Sequence, residues 1–188
     1  MVKKSFAQLL MYFVIGISLI ISVVCFCFYY GKIYKSSAVL WIGVTFFTVM
    51  YHLWARIIFG NITKLFKINY NNFWFRERSF EKVIYNAINV KGWKDKVLTY
   101  NPHLFSLKNY TLEEIALTMT KAEIDHWINE IISLTTLLFS LIWGKLEIFL
   151  ITAIVAMIFD GQFIVIQRFN RPRVLRLLEM KKSKMVTK

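Results

Sequence analysis

Apolar residues gather along the chain into four runs, separated by polar stretches of very unequal length. Phe6 to Tyr30 contains no charged residue and is long enough to cross a bilayer as one helix. Ala38 to Ile58 forms a second run, interrupted only by His52 and Arg56 near its end. Ile131 to Trp143 is short, and reaches spanning length only if its helix starts upstream, around Trp127. Ile148 to Ile166 is the fourth run and contains Asp160; Gly144-Lys145 supplies the turn before it. The pattern predicts an all-α integral membrane protein with four transmembrane helices, at about 6–30, 38–58, 127–143 and 148–168, in one membrane domain covering 1–188. Met1-Val2-Lys3-Lys4 has the look of a signal-peptide n-region. The apolar stretch after it is too long, and has no small-x-small cleavage site, so an uncleaved helix is expected.

About 65 residues lie between the second and third runs, too many for a structureless connection. Within this 61–125 segment Phe80, Val83, Ile84, Ala87 and Ile88 recur at helical spacing, with Ser79 placed to cap and Gly92 just past the end. Phe73-Trp74-Phe75-Arg76-Glu77-Arg78 precedes it. The pattern fits an interfacial helix with aromatic and arginine anchors, or equally an amphipathic helix packed on the other spans. Thr111-Leu112-Glu113-Glu114 is a capping box. No Gly or Pro follows before Gly144, so one helix of about 32 residues, roughly 48 Å, is expected to rise from there into the third span.

Charge sets the direction. Lys and Arg number 24 against 11 Asp and Glu, a net +13. Two cations sit at the N-terminus, ten between Asn61 and Asp125, eight from Arg168 onward, and only three in the two short turns. By the positive-inside rule both termini, the middle segment and the basic tail 169–188 are expected to face the cytoplasm. With apolar spans present, the charge fits anionic lipid and topology control rather than nucleic acid. Cys25 and Cys27 both lie inside an apolar run, which excludes a disulfide framework or zinc pattern and makes them packing or lipid-facing residues.

The candidate chemistry lies on the 111–143 helix. Leu112, Ile115, Ala116 and Met119 share one stripe, and its continuation falls on Glu123, His126 and Glu130. Three ionisable groups thus occupy positions expected to be buried, where the helix meets the headgroup region. Buried carboxylates and imidazoles are costly unless paired, and this spacing lets His126 reach either glutamate. The pattern is open to a histidine base oriented by a carboxylate, to a Glu-x-x-His metal half-site, and to a hydrogen-bond network without chemistry. His52 and His103 offer no matching ligand motif, so no metal is expected. Asp160 inside a span is a second candidate, with Gln167 seven residues on along the same face. Then follows Gln167-Arg168-Phe169-Asn170-Arg171-Pro172-Arg173. Pro172 predicts a helix break near Arg171, and arginines at a helix end suit a phosphate or carboxylate.

Glu123-x-x-His126-Trp127, the upstream Trp93-Lys94-Asp95 and the Gln167–Arg173 string together resemble the glycosyl-4,4′-diaponeurosporenoate acyltransferase family, over about residues 71–178. The resemblance implies a membrane-bound acyltransferase that moves a fatty acyl chain onto a sugar hydroxyl of a glycolipid or carotenoid glycoside. Acyl-CoA or acyl carrier protein would be the donor, with no other cofactor. His126 would take the hydroxyl proton, with Glu123 or Glu130 holding the imidazole. Arg168, Arg171 and Arg173 would bind donor phosphate or polarise the thioester carbonyl. Gln167 and Asn170 would orient the acceptor, and Trp93, Lys94, Trp127 and Asp160 complete the substrate-binding set. The sequence contains no nucleophile elbow, which favours direct attack without an acyl-enzyme. The rival readings are a non-enzymatic lipid-binding or accessory subunit, and a small carrier in which Asp160 and Glu130 line a polar path.

Overall fold

A computed structural model of the protein describes residues 6–97 and 101–186. Met1-Val2-Lys3-Lys4 therefore lies outside the described residues. All regular elements among these are helical: α1 (Phe6–Tyr30), α2 (Ser37–Ile62), α3 (Ser79–Ala87), α4 (Val90–Trp93), α5 (Leu112–Thr135), α6 (Ser140–Trp143) and α7 (Leu146–Val186), with single 3-10 turns between several of them. Three stretches are long and apolar enough to cross a membrane: Phe6–Tyr30, Ser37–Ile62 and Leu146–Met185. The charges along α5 keep it out of that set.

α1 is built inside out. Its buried residues are Ser18 and Ser22, while Phe13, Ile20 and Val23 point away from the protein. Small residues facing a neighbour and large apolar ones facing outward are what a lipid environment selects. α1 packs along α2. At Gly43 a Cβ would come 3.0 Å from the Cys25 Cβ and 3.1 Å from the Phe26 ring, so glycine is what lets the two helices meet there. The packing alternative for Cys25 fits this contact; Cys27 is exposed.

α5 and α7 form the most extensive helix pair, with α2 against both. The capping box at Thr111 forms as the sequence predicts: Thr111 Oγ1 accepts from Glu114 N at 3.2 Å and Thr111 N donates to Glu114 Oε2 at 2.8 Å. The expected uninterrupted helix to Trp143 does not form. α5 stops at Thr135 and a 3-10 turn covers Thr136–Phe139 before α6. Thr135, Thr136 and Ser140 each donate a hydroxyl to the carbonyl three residues back, at 2.6–2.7 Å, and this back-bonding tightens the turn. Gly144 then closes the segment at φ +64°.

Two other local expectations are corrected. The fourth helix does not break at Arg171; α7 runs through Pro172 to Val186. Its C-terminal half is held against α5 by buried Leu178 and by Lys182 paired with Glu113 at 2.8 Å, so packing outweighs the proline. α3 starts at Ser79 itself, without a side-chain cap, and it is Asn89, at φ 48°, that turns the chain before Gly92. Asn tolerates the left-handed region, and Gly92 lies inside α4, where a Cβ would collide with the Asn89 amide at 2.7 Å.

The bundle has two unlike ends. Where α1 turns into α2 and α6 into α7, Phe26 stacks on Trp143 at 5.5 Å around a core of Leu40, Val44, Ile148 and Phe149, and Trp143 Nε1 donates to Tyr30 OH at 2.9 Å. The opposite end carries α3, α4 and the ionisable groups. There Gln8 at the start of α1 donates to Asn101 Oδ1 at 2.6 Å.

Candidate active site

The antiparallel pairing of α5 and α7 places Glu123 opposite Arg168 and Arg171, and His126 opposite Asp160 and Phe163. The two constellations, 30 to 50 residues apart in sequence, therefore form successive rungs across one helix interface.

The first rung is centred on Asp160, which is completely buried. Its Oδ1 lies 2.7 Å from His126 Nδ1 and accepts from Asn129 Nδ2 at 3.1 Å. Its Oδ2 pairs with Arg56 Nη2 from α2. Arg56 is steadied in turn by donating to the His52 carbonyl at 2.9 Å. The His126 ring lies flat on Phe163, 4.6 Å between centroids and 6° between planes. A buried carboxylate with three polar partners is the arrangement its desolvation demands. The tautomer that suits this contact has its hydrogen on Nδ1, directed at the carboxylate, and its lone pair on Nε2. The His126 side chain is 20% exposed and lies beside exposed Trp127 and Phe159.

The second rung is centred on Glu123, also fully buried. It accepts from Arg168 Nη1 at 2.7 Å and from Arg171 Nη1 at 2.5 Å. Arg168 also reaches Glu81 Oε1 from Nη2 at 2.5 Å and the carbonyls of Trp74 and Arg76 at 3.2 Å. Arg171, 1% exposed, donates to the Phe75 carbonyl at 2.7 Å and lies over the Phe75 ring. Tyr85 OH donates to Glu81 Oε2 at 2.9 Å, and burial, reinforced by that carboxylate, raises its phenol well above the usual range. These arginines hold the 74–85 segment against the bundle.

The spacing of Glu123, His126 and Glu130 thus leads to three different environments. Both Glu123 oxygens are taken by arginines, so the imidazole is held by Asp160 rather than by either glutamate. Glu130, half-buried, has no ion pair among the described residues; its Oε1 lies 3.7 Å from where a Gly161 Cβ would be. Gln167 is buried and its Oε1 has no hydrogen-bond partner among the described residues. Asn170 is half-buried, and Arg173 is exposed with its guanidinium 4.4 Å over Phe169. Trp93 and Lys94 lie outside both rungs: Trp93 Nε1 donates to the Ile88 carbonyl at 2.8 Å and Lys94 pairs with Asp95 at 2.7 Å. No group of three or more metal-ligating side chains occurs among the described residues. Arg56, Asn129, Phe163 and Glu81 belong to the rungs without having been predicted. For Arg56 the signal was present, as an arginine within an apolar span.

The family model for glycosyl-4,4′-diaponeurosporenoate acyltransferases matches residues 71–180. The chain belongs to that family. It is 29% identical over 161 residues to the glycosyl-4,4′-diaponeurosporenoate acyltransferase of Staphylococcus aureus strain Newman, covering 77% of this chain and 93% of the relative. The protein of that name from strain N315 is 28% identical with the same coverage. No solved structure matches the chain. Membership of the glycosyl-4,4′-diaponeurosporenoate acyltransferase family makes acyl transfer the class of reaction. The matched 71–180 region contains both carboxylate centres and every one of their partners named above except Arg56 on α2.

Proposed function

We propose that the protein transfers a fatty acyl chain from acyl-CoA or acyl carrier protein to a sugar hydroxyl of a glycolipid or carotenoid glycoside, with His126 as the general base. The observation that carries this reading is the 2.7 Å contact between His126 Nδ1 and the buried Asp160 carboxylate. Asp160 orients the ring, and Arg56 and Asn129 keep the aspartate ionised and fixed. His126 Nε2 removes the hydroxyl proton as the oxygen attacks the thioester carbon. The tetrahedral intermediate collapses with loss of the thiol. The proton held on His126 passes to the departing sulfur, which resets the imidazole; Glu130, the carboxyl left without a cation, is one turn away. Arg173, the exposed arginine of the motif, is available to donor phosphate, whereas Arg168 and Arg171 are neutralised by Glu81 and Glu123 and act by positioning.

In this reading α5 and α6 together make a third span between α2 and α7. The protein then crosses the bacterial cell membrane four times, with both termini and the 61–125 segment in the cytoplasm, as the distribution of cations requires. The exposed Trp127 and Phe159 beside His126 leave the acceptor a lateral approach from the leaflet.

The test is mass spectrometry of lipids from cells producing the wild type or His126→Ala. The wild type should add one acyl chain to a glycolipid, and the variant, still inserted in the membrane, should add none. Full product from the variant would remove His126 from the mechanism.

A further inference from the structure

α3 is turned with its polar side to the protein. Glu81 and Tyr85, each 6% exposed, face Arg168 and Phe169. Phe80, Val83, Ile84 and Ile88 are 44–70% exposed, and Phe73 and Trp74 beside them are 63% and 59% exposed. A helix facing water would present the opposite side. This orientation is enforced rather than loose. Arg168 binds the Trp74 and Arg76 carbonyls together with Glu81, and Arg171 binds the Phe75 carbonyl. Phe75 is drawn inward under Arg171 while its neighbours Phe73 and Trp74 are left outside.

The rim of this apolar face is cationic. Arg76, Lys82 and Lys91 are exposed, and Arg78 lies 4.0 Å over the Phe73 ring. Glu77 is the acidic group nearby that is not committed to the arginine clamp, and it approaches Lys82 at 3.9 Å. A second copy meeting this face would oppose cations with cations. An anionic lipid surface would satisfy the rim and the apolar face together. The segment also follows α2 in the chain and is clamped to α7 by Arg168 and Arg171, and both helices are apolar enough to cross a membrane, so such a surface is already adjacent.

We infer that α3 and the Phe73–Trp74 turn lie sideways in the headgroup–acyl boundary of an anionic leaflet, with Phe80, Val83, Ile84 and Ile88 directed into the lipid. The guanidinium of Arg168 joins this shelf to Glu123 on α5. The depth of the shelf therefore sets the depth of His126, one turn further along α5. This holds whether or not His126 is the base.

The test uses the full chain with Cys25→Ala and Cys27→Ser and one new cysteine carrying an environment-sensitive fluorophore. Val83→Cys, Ile84→Cys and Ile88→Cys are compared with Lys82→Cys and Asn86→Cys, all at exposed positions. Each protein is reconstituted into phosphatidylcholine–phosphatidylglycerol vesicles containing a nitroxide-labelled lipid. Quenching should be at least about twofold stronger in the first set, and should weaken when phosphatidylglycerol is omitted. Equal quenching in both sets overturns the proposal. So does a probe that is shielded only at high protein-to-lipid ratio, which would identify a second copy as the occupant. Depth unchanged without phosphatidylglycerol overturns the choice of an anionic surface.

Discussion

The two ends of the bundle are held by opposite means. At the aromatic end Phe26, Phe47, Phe139, Trp143 and Phe149 pack ring against ring, with no buried charge among them. At the ionic end Glu123, Asp160, Arg56, Arg168 and Arg171 meet inside the same helices. Dispersion contacts at the first end are individually weak and tolerate a lost neighbour. At the second, each charge has been taken from water or headgroups and depends on its partner. Loss of one ring leaves a smaller contact; loss of one carboxylate leaves an uncompensated cation. The end that looks more strongly bonded is the more fragile one, and it holds the candidate chemistry.

This contrast can be broken by substitution. Glu123→Gln should have the largest effect on stability, about 3–5 kcal/mol, because Arg171 is left buried and uncompensated; detergent-solubilised protein titrated with denaturant would measure it. Replacing both sides at once, Glu123→Leu with Arg171→Met, should recover much of that loss. Asp160→Asn should lower turnover on the order of 10²-fold, about 2.7 kcal/mol in the barrier, by releasing the imidazole. Its pH–rate profile should also change shape, which a purely structural defect would leave unaltered. Phe149→Ala should cost about 2 kcal/mol, below the soluble-core range, because lipid tails solvate the ring once the helices separate. Equal losses for Phe149→Ala and Glu123→Gln would erase the proposed contrast.

The smallest effect belongs to the cap of α5, outside both ends. Thr111→Ala should cost about 1 kcal/mol. The Thr111 backbone N–H holds the Glu114 carboxyl below its usual value, and Lys182 does the same for Glu113. A carboxyl depressed in the folded state stabilises above its unfolded pKa and stops doing so as pH falls through the folded one. Thr111→Ala removes the hydroxyl's share of that depression and leaves the backbone share, so its difference from wild type should shrink on acidification below about pH 4, as read by thermal melts across that range.

Hydropathy made α1 and α2 legible to within a few residues, because the bilayer constrains apolar length directly. Helical phase likewise placed Glu123 on a buried face, and an acidic residue inside a span marked Asp160 as a candidate. Pairing was not legible. From sequence His126 can reach only its own helix, so its partner was sought at Glu123 or Glu130; the register of α5 on α7 gives it Asp160 instead. The outward turn of α3 depends on Arg168, 87 residues from Glu81, and nothing local encodes it. The 3-10 turn at Thr136–Phe139 could have been suspected from Thr135, Thr136 and Ser140, since closely spaced hydroxyl residues compete for helix carbonyls.

Pro172 has no N–H to offer the Arg168 carbonyl one turn back, so the 41-residue rod of α7 has a rung missing at that point. Arg168, on one side of the gap, and Arg171, just before the proline, are the two held by Glu123. The carboxylate thus acts as a splint across a weak joint. Remove it and the rod has a defined place to bend, restrained beyond the proline by Leu178 and the Lys182–Glu113 pair, while Asp160, three turns below, stays where it is.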